Sequence, residues 1–260
     1  MGKIIAVTNQ KGGVGKTTTS VNLAASLVAT HRKVLLIDMD PQGNATMGSG
    51  VDKHALERTS YDVLIGSVDI RDAISETEQA GYDLLPANAD LTAAEVELLQ
   101  VPQRERRLRE ALNSINGRYD FILIDCPPSL NMLTLNALVA AQSVIIPMQC
   151  EYYALEGLTA LVSTIEDVRD NLNPFLKIEG LLRTMYDPRN RLTGDVTAQL
   201  SKHFGDKLYR TVIPRNIRLA EAPSHGQPAL VYDKASRGAK AYLALAGEML
   251  RREEVASAGV

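Results

Sequence analysis

Residues 4–28 restrict the possible folds more than any other part of the chain. They begin with an apolar run at residues 4–7, pass through a glycine-rich stretch at residues 11–18, and continue into a segment whose apolar side chains share one helical face. A short run of β-branched and aliphatic residues is typical of a buried strand, and the spacing of the later apolar residues predicts a helix over residues 17–28. A strand that leads through glycines directly into a helix favours a parallel sheet.

The same alternation of apolar strand and helix continues along the chain. Further strands are predicted at residues 34–37, 121–124, 143–146, 178–182 and 209–213. Helices are predicted near residues 105–115, 130–141, 155–172, 194–203 and 236–252. Strands that are apolar throughout are covered on both faces, so we predict an α/β fold in which helices cover both faces of a mostly parallel, twisted sheet. One domain is expected over residues 1–252 and a frayed tail over residues 253–260, while residues 43–81 show no clear pattern.

The composition limits the class of protein. The chain has 260 residues, of which 45% are apolar and 23% charged, which is enough for one large core and unlike a disordered chain. It has no uncharged apolar run near the length of about 18 residues that a membrane helix needs, and the apolar run at its start is too short for a secretion signal. Two cysteines, Cys126 and Cys150, are too few for a disulfide framework. We therefore expect a cytoplasmic protein whose reduced thiols pack in the core.

The glycine-rich stretch has the chemistry of a phosphate loop. Its three glycines allow the backbone to turn N–H groups inward at an anion, and the following helix adds the positive end of its dipole. Lys16 can reach the β- and γ-phosphates of a nucleotide, and the Thr17 hydroxyl can bind Mg²⁺. Gln10 stands where the usual pattern has its first glycine, so a plain strand-to-helix turn is the alternative. The predicted nucleotide-binding residues of this loop are Lys11, Gly12, Gly13, Val14, Gly15, Lys16, Thr17 and Thr18.

Aspartates follow two other predicted strands. Asp125 comes directly after an apolar run, where a carboxylate can hold Mg²⁺ through water. Asp38 ends another apolar run, and Asp40 would lie on the same side of that strand if the strand continued. Pro41 prevents regular continuation. Because ligands bind beyond the carboxyl ends of parallel strands, we expect these carboxylates beside the phosphate loop.

Five motifs follow one another along nearly the whole chain. They are Lys-Gly-Gly-Val-Gly-Lys-Thr-Thr at residues 11–18, Asp-Met-Asp-Pro-Gln-Gly-Asn at 38–44, Asp-Cys-Pro-Pro-Ser at 125–129, Ile-Pro-Arg-Asn at 213–216 and Glu-Ala-Pro-Ser-His-Gly-Gln-Pro at 221–228. In this order they resemble the ParA/MinD family of deviant Walker A ATPases, and most of all its short ParA/Soj type. The resemblance implies a P-loop NTPase fold, ATP and Mg²⁺ as cofactors, and hydrolysis of ATP to ADP and phosphate.

The resemblance also implies roles for charged residues of the loop and the strand ends. Lys11, Lys16 and Asp40 are the expected catalytic residues. Lys11 would reach across an ATP-bound sandwich dimer to the partner's phosphates. Asp40 would position or activate the attacking water and contact Mg²⁺ through water, while Asp38 would support the phosphate contacts.

Base recognition is expected from residues beyond two later strands. Guanine-specific GTPases usually carry Asn-Lys-x-Asp, and this chain contains no such stretch. By resemblance, Met185, Pro214 and Asn216 lie near adenine. Their alternative roles are purely structural, as a strand end and a turn.

The C-terminal third is basic and is the candidate for contact with DNA. Residues 177–260 hold 14 Lys and Arg against nine Asp and Glu. Gathered on one face of a dimer, such residues would bind the phosphates of double-stranded DNA without reading its sequence; a solvated basic face is the alternative. The resemblance places the DNA-contacting arginine in the segment of Arg218. Further candidates are Arg189, Arg215, Lys234 and Arg237, of which Arg215 could instead serve structure or nucleotide.

We therefore expect an ATP-dependent DNA-partitioning ATPase on the nucleoid, which forms a homodimer with ATP and is stimulated by a ParB-type partner. Because the chain begins directly at the first strand, without a helix-turn-helix segment, operator binding is not expected. A MinD-like membrane ATPase would need a basic amphipathic C-terminal helix, whereas residues 251–260 balance two arginines with two glutamates and are rich in small residues. A small-molecule ligase on the same fold is the other alternative. An iron–sulfur protein like nitrogenase reductase is disfavoured by the positions of Cys126 and Cys150.

Overall fold

The computed structural model describes residues 2–151 and 154–258, and the strands in this part of the chain form one sheet. They are β1 (Lys3–Val7), β2 (Val34–Asp38), β3 (Ser75–Glu76), β4 (Asp83–Leu85), β5 (Phe121–Asp125), β6 (Ser143–Gln149), β7 (Lys177–Tyr186) and β8 (Leu208–Pro214). Their order across the sheet is β3-β4-β2-β5-β1-β6-β7-β8. The pairing of β3 with β4 is antiparallel, and the other pairings are parallel. The predicted α/β fold with a mostly parallel sheet is confirmed.

Helices connect the parallel strands. Those of the first half are α1 (Lys16–Val28), α2 (Asn44–Gly48), α3 (Ser60–Ile65), α4 (Ile70–Ala73), α5 (Leu91–Glu97) and α6 (Arg107–Leu112). Those of the second half are α7 (Met132–Ala140), α8 (Ala154–Asn171), α9 (Arg191–Phe204), α10 (Ile217–Glu221), α11 (Ala229–Tyr232) and α12 (Arg237–Ala258). None of these helices combines the length and apolar character needed to cross a lipid bilayer.

Two apolar clusters, one on each face of the sheet, form the core. The alternation of side chains along β2 shows the division, because Leu35 and Ile37 belong to one cluster and Leu36 to the other. The first cluster is covered by α3 to α9, and the second by α1, α2 and α10 to α12. Helices therefore lie on both faces, as predicted.

The strand order brings the expected site together. β1 lies in the middle of the sheet, between β5 and β6, and β5 lies between β1 and β2. Asp125 is paired in register with both Val7 and Asp38. The last residues of three strands consequently meet at one edge of the sheet, directly below the loop that joins β1 to α1.

Three stretches differ from the sequence predictions. Residues 43–97 contain β3, β4 and the short helices α2 to α5, which are too short to produce a readable periodicity. The helix predicted near residues 105–115 is divided into short 3-10 turns around α6. The last helix was predicted to end at residue 252, but α12 continues to Ala258, and Glu253 within this extension pairs with Lys3 at 2.8 Å.

Candidate nucleotide and magnesium site

The loop between β1 and α1 has an open concave backbone. Gly13 and Gly15 have positive φ angles of 73° and 88°, a conformation that glycine adopts without strain. A Cβ atom added to Gly12 or Gly13 would meet no atom within 4 Å, so the loop borders free space. Gly15 caps the amino terminus of α1, where unpaired N–H groups attract an anion. The backbone therefore fits the phosphates of a nucleotide.

Lys16 is the cation buried beneath this loop. Its side chain is 7% exposed, and its ammonium group donates to the Lys11 carbonyl at 3.1 Å. Burial lowers the pKa of Lys16, and the nearby negative charges of Asp125 and Asp40 oppose that change. A phosphate beside Lys16 would strongly stabilise the charged form of this buried ammonium group.

Asp125 lies beside the start of α1, where it accepts two hydroxyl hydrogen bonds. Thr17 donates to one carboxylate oxygen at 2.8 Å and Ser20 to the other at 2.7 Å. Burial raises the pKa of Asp125, and the negative charge of Asp38 raises it further. A divalent cation would stabilise the ionised form, and Mg²⁺ prefers oxygen ligands of this kind together with water and phosphate. Thr17 and Asp125 thus fit the predicted magnesium position.

Asp38 is fully buried and its carboxylate is occupied by contacts within the protein. The Thr46 backbone N–H and hydroxyl donate to one oxygen at 2.9 and 2.7 Å, and the Asp40 N–H donates to the other at 3.1 Å. Burial raises the pKa of Asp38. These contacts hold the turn after β2, and the support of phosphate contacts expected of Asp38 stays a prediction.

Asp40 lies in the turn after Asp38, because the strand ends before it. One of its carboxylate oxygens accepts the Gln42 N–H at 3.0 Å, and the side chain is 8% exposed. Its negative charge reaches Lys16, Asp38 and Asp125. The predicted catalytic residues Lys16 and Asp40 are therefore neighbours at the loop.

Lys11 faces away from this buried cluster. Its ammonium group forms an ion pair with Glu151 at 2.5 Å, and both side chains are about half exposed. No local pattern indicated Glu151 as the partner of Lys11, since 140 residues separate the pair. An exposed pair of this kind contributes only about 0–1 kcal/mol, so a stronger anion can replace Glu151.

A cavity of about 460 Å³ adjoins the phosphate loop. It is lined by Gly15 and Thr18 at the start of α1 and by the adenine candidates Met185, Pro214 and Asn216. Met185 has a positive φ of 48°, which is uncommon for a residue with a side chain and often marks a functional position. The Asn216 side-chain oxygen is buried and has no hydrogen-bond partner among the described residues. The size of the cavity permits a base to bind there, while the Asn216 oxygen itself is packed against Gly238.

The candidate DNA-binding residues are exposed on segments next to this cavity. Arg218 lies on α10 and pairs with Glu221 at 2.7 Å and with Asp233 at 3.3 Å. Arg189 is 88% exposed and pairs with Asp187 at 2.8 Å. The others, which are Arg215, Lys234 and Arg237, are exposed at the start of α10, before α12 and at its first residue. The structure brings these side chains to the surface, and their contact with DNA stays a prediction.

Two residues that hold the carboxylates were missed by the sequence analysis. Ser20 lies one helical turn after Thr17, so the spacing of three residues on α1 was a usable signal. Thr46 lies within residues 43–81, which show no clear sequence pattern, so nothing indicated its contact with Asp38. Cys126 and Cys150 are buried and unpaired, which confirms their packing role.

Comparison with known proteins adds independent findings. Residues 2–178 match the family model described as an AAA domain. The chain is 55% identical to the sporulation initiation inhibitor protein Soj of Bacillus subtilis, across 96% of this chain and 98% of that one. It is 53% identical to the chromosome partitioning protein ParA of Caulobacter vibrioides, across 96% and 95% of the two chains.

A solved structure with bound nucleotide is also similar to this fold. It is described as cobyrinic acid a,c-diamide synthase from Mycobacterium smegmatis with bound ADP and magnesium. The TM-score is 0.86 at 40% identity, and the match covers 98% of this chain and 96% of that one.

Proposed function

Because the chain belongs to the ParA/Soj family of chromosome-partitioning ATPases, we propose that it moves DNA by binding it as an ATP-dependent homodimer. The chain is an ATPase that uses ATP and Mg²⁺. In the proposed cycle, the ATP-bound dimer binds double-stranded DNA without sequence preference. A ParB-type partner then stimulates hydrolysis, and the DNA is released. The protein would accordingly be found in the cytoplasm on the nucleoid.

The proposed roles at the phosphate loop follow from charge and position. Lys16 and the inward N–H groups of residues 12–18 would bind the phosphates, with Thr17 on Mg²⁺ and Asp125 holding it through water. Mg²⁺ would neutralise phosphate charge when bound. Asp40 has one carboxylate oxygen without a described hydrogen bond, so it can accept a proton from, or orient, the attacking water and contact Mg²⁺ through water.

Lys11 supports the dimeric part of the proposal. Its half-exposed ammonium group is held by Glu151 rather than by its own loop. In a sandwich of two subunits, the triphosphate of the partner would replace Glu151 as the anion. ATP would then favour the dimer because it interacts with both chains.

The observation that supports coupling between nucleotide and DNA binding is the position of α10. α10 supplies Ile217, Leu219 and Ala220 to the cavity for the base, and its exposed side carries Arg218. The same five-residue helix can therefore sense the nucleotide on one side and contact DNA phosphates on the other. Lys234 follows Asp233, which pairs with Arg218, and extends the basic surface.

DNA co-sedimentation with ATP, ADP or no nucleotide across a series of salt concentrations tests this proposal. We expect binding with ATP only, with an affinity that falls steeply as salt rises because phosphate contacts release counterions. Arg218→Glu should abolish DNA binding and leave ATP binding intact. Arg71→Glu is the matched control, since Arg71 is an exposed arginine paired with Asp69 on α4. Full DNA retention in Arg218→Glu would remove this surface from the proposal.

A small-molecule ligase is the second candidate, favoured by the 40% identical structure described as cobyrinic acid a,c-diamide synthase. The relatives with higher identity are described as Soj and ParA, which is why partitioning comes first. ATP hydrolysis that required a small carboxylic acid and ignored DNA would favour the ligase. Nucleotide-dependent binding to anionic vesicles would instead favour the MinD-like alternative.

A further inference from the structure

Two side chains from neighbouring strands hold the carbonyl groups of the phosphate loop on its outer side. Thr184 in β7 donates its hydroxyl hydrogen to the Val14 carbonyl at 2.7 Å. Gln149, the last residue of β6, donates its amide hydrogen to the Gly13 carbonyl at 3.1 Å. Neither residue belongs to the loop, and Thr184 is 170 residues from its partner in sequence.

The direction of these hydrogen bonds determines where the loop's N–H groups point. A peptide unit is planar and trans, so its carbonyl and the following N–H point in opposite directions. Holding the Val14 carbonyl outward turns the Gly15 N–H inward, and holding the Gly13 carbonyl outward does the same for the Val14 N–H. Inward N–H groups of this kind form the anion-binding concavity of a phosphate loop.

We propose that Thr184, assisted by Gln149, is a positioning residue that orients the Val14 and Gly15 amides toward the phosphate chain of the nucleotide. Thr184 is 3% exposed, so water does not compete for its hydroxyl. Its methyl group also lies beside the loop, because a Cβ added to Gly15 would be 3.7 Å from it, an ordinary van der Waals distance. The loop thus binds phosphate from a backbone conformation that β7 holds in advance.

The same strand, β7, also reaches the base cavity. Adjacent residues of β7 can therefore serve two functions, one at the phosphate loop and one at the base. Thr184 and Met185 both border this cavity. The Thr184 hydroxyl, however, is engaged by the Val14 carbonyl of the phosphate loop, whereas Met185 is a candidate for contact with the base. A defect at Thr184 should therefore appear with nucleotides that carry phosphates and not with the nucleoside alone.

The test is the binding of ATP, ADP and adenosine to Thr184→Val, which keeps the side-chain volume and removes the hydroxyl. A buried carbonyl without its donor allows the loop's peptide units to turn, so we expect about tenfold or greater loss of affinity for Mg²⁺-ATP and Mg²⁺-ADP in calorimetry. Adenosine binding, measured by ligand-observed NMR, should stay within about twofold of its original value, because loss of a phosphate-oriented contact leaves the base cavity intact. The KM for ATP should rise by more than kcat falls.

Two further variants decide between positioning and general stability. Thr184→Ser restores the hydroxyl and should restore ADP affinity. Thr77→Val is the matched control, since the buried Thr77 hydroxyl also donates to a carbonyl, that of Tyr82, far from the loop. Unchanged ADP binding in Thr184→Val, an equal loss for adenosine, no recovery in Thr184→Ser, or the same loss in Thr77→Val would each overturn the proposal. Should Thr184→Val fail to fold, Thr184→Ala and Gln149→Leu carry the same expectation and are judged by the same outcomes.

Discussion

At the scale of single residues, the site places three carboxylates and one buried lysine in a small volume. Asp38 and Asp125 are fully buried, and burial raises the pKa of both. Hydroxyl donors from Thr46, Ser20 and Thr17 offset part of the cost of desolvation. Binding of Mg²⁺ and phosphates would offset the rest of this desolvation cost. Such a site lowers the stability of the free protein and raises its affinity for the nucleotide.

Asp125→Asn should stabilise the nucleotide-free protein at alkaline pH. The pKa of Asp125 is raised in the folded state above its unfolded value near 3.9, so the native chain loses stability as pH rises through that window and the carboxyl ionises. Asparagine cannot ionise, and a gain of about 1 kcal/mol would raise Tm by about 2–4 °C. Thermal unfolding at about pH 8.5, above the folded-state pKa of about 8, and at about pH 4, near the unfolded value, measures this. The difference should vanish at the lower pH. Mg²⁺-ATP should stabilise the original chain and not the variant. An equal or lower Tm for the variant at alkaline pH contradicts the prediction.

Asp40→Ala should keep ATP binding and lose hydrolysis. In the proposed mechanism, Lys16, Thr17 and Asp125 hold the phosphates and Mg²⁺ directly or through water, whereas Asp40 would act on the attacking water and contact Mg²⁺ only through water. We expect the ATPase rate to fall by about 10²-fold or more, while size-exclusion chromatography with ATP shows a persistent dimer. Hydrolysis at the original rate would remove Asp40 from the mechanism.

At the scale of elements, a close contact joins the segment just after α2 to the Glu-Ala-Pro-Ser-His-Gly-Gln-Pro segment. α2 ends near Gly50, and a Cβ added there would lie 2.8 Å from the Gly226 carbonyl. A Cβ added to Gly226 would lie 2.8 Å from the Gly50 Cα, and Gly226 has a positive φ of 62°. Asn22 of α1 also accepts the Ala229 N–H at 2.7 Å. This motif therefore connects the nucleotide side of the molecule to the segments that carry Arg218 and Lys234.

Gly226→Ala should destabilise the protein, because the added methyl group meets backbone atoms in a left-handed conformation. Overpacking of this kind costs about 1–3 kcal/mol of unfolding free energy, which urea denaturation measures. Gly157→Ala on α8 is the matched control with the opposite sign. Its Cβ meets no atom within 4 Å, and alanine stabilises an exposed helix position by up to about 1 kcal/mol. Equal effects of the two substitutions would refute the close contact.

At the scale of the whole molecule, the sheet brings the nucleotide site to one edge, while Lys11 pairs with the half-exposed Glu151. If Lys11 completes the site of a second subunit, Lys11→Ala should bind ATP with near-original affinity and remain a monomer. Light scattering with ATP and with ADP measures the oligomeric state. Lys33→Ala, at an exposed lysine before β2, is the control and should dimerise normally. ATP-dependent dimers of Lys11→Ala would contradict the proposed role.

The main strands and the phosphate loop were predictable because their signals are local. Six apolar runs became β1, β2 and β5 to β8, since each is long enough to show continuous burial. β4 has three residues and β3 two, too few for a period, and their place at the edge of the sheet depends on pairing with distant β2. The aspartates after β2 and β5 were identifiable as site candidates, but their hydroxyl partners Thr46 and Ser20 were not identified.

The sequence by itself determined the strand–loop–helix at residues 4–28, because glycine conformations, helix start and apolar burial depend on neighbouring residues. Only the tertiary structure decided which distant side chains complete the site. Asp125 meets Thr17 across 108 residues, and Thr184 meets Val14 across 170. These contacts follow from the order of strands in the sheet, and that order results from packing of the whole chain rather than from any local pattern.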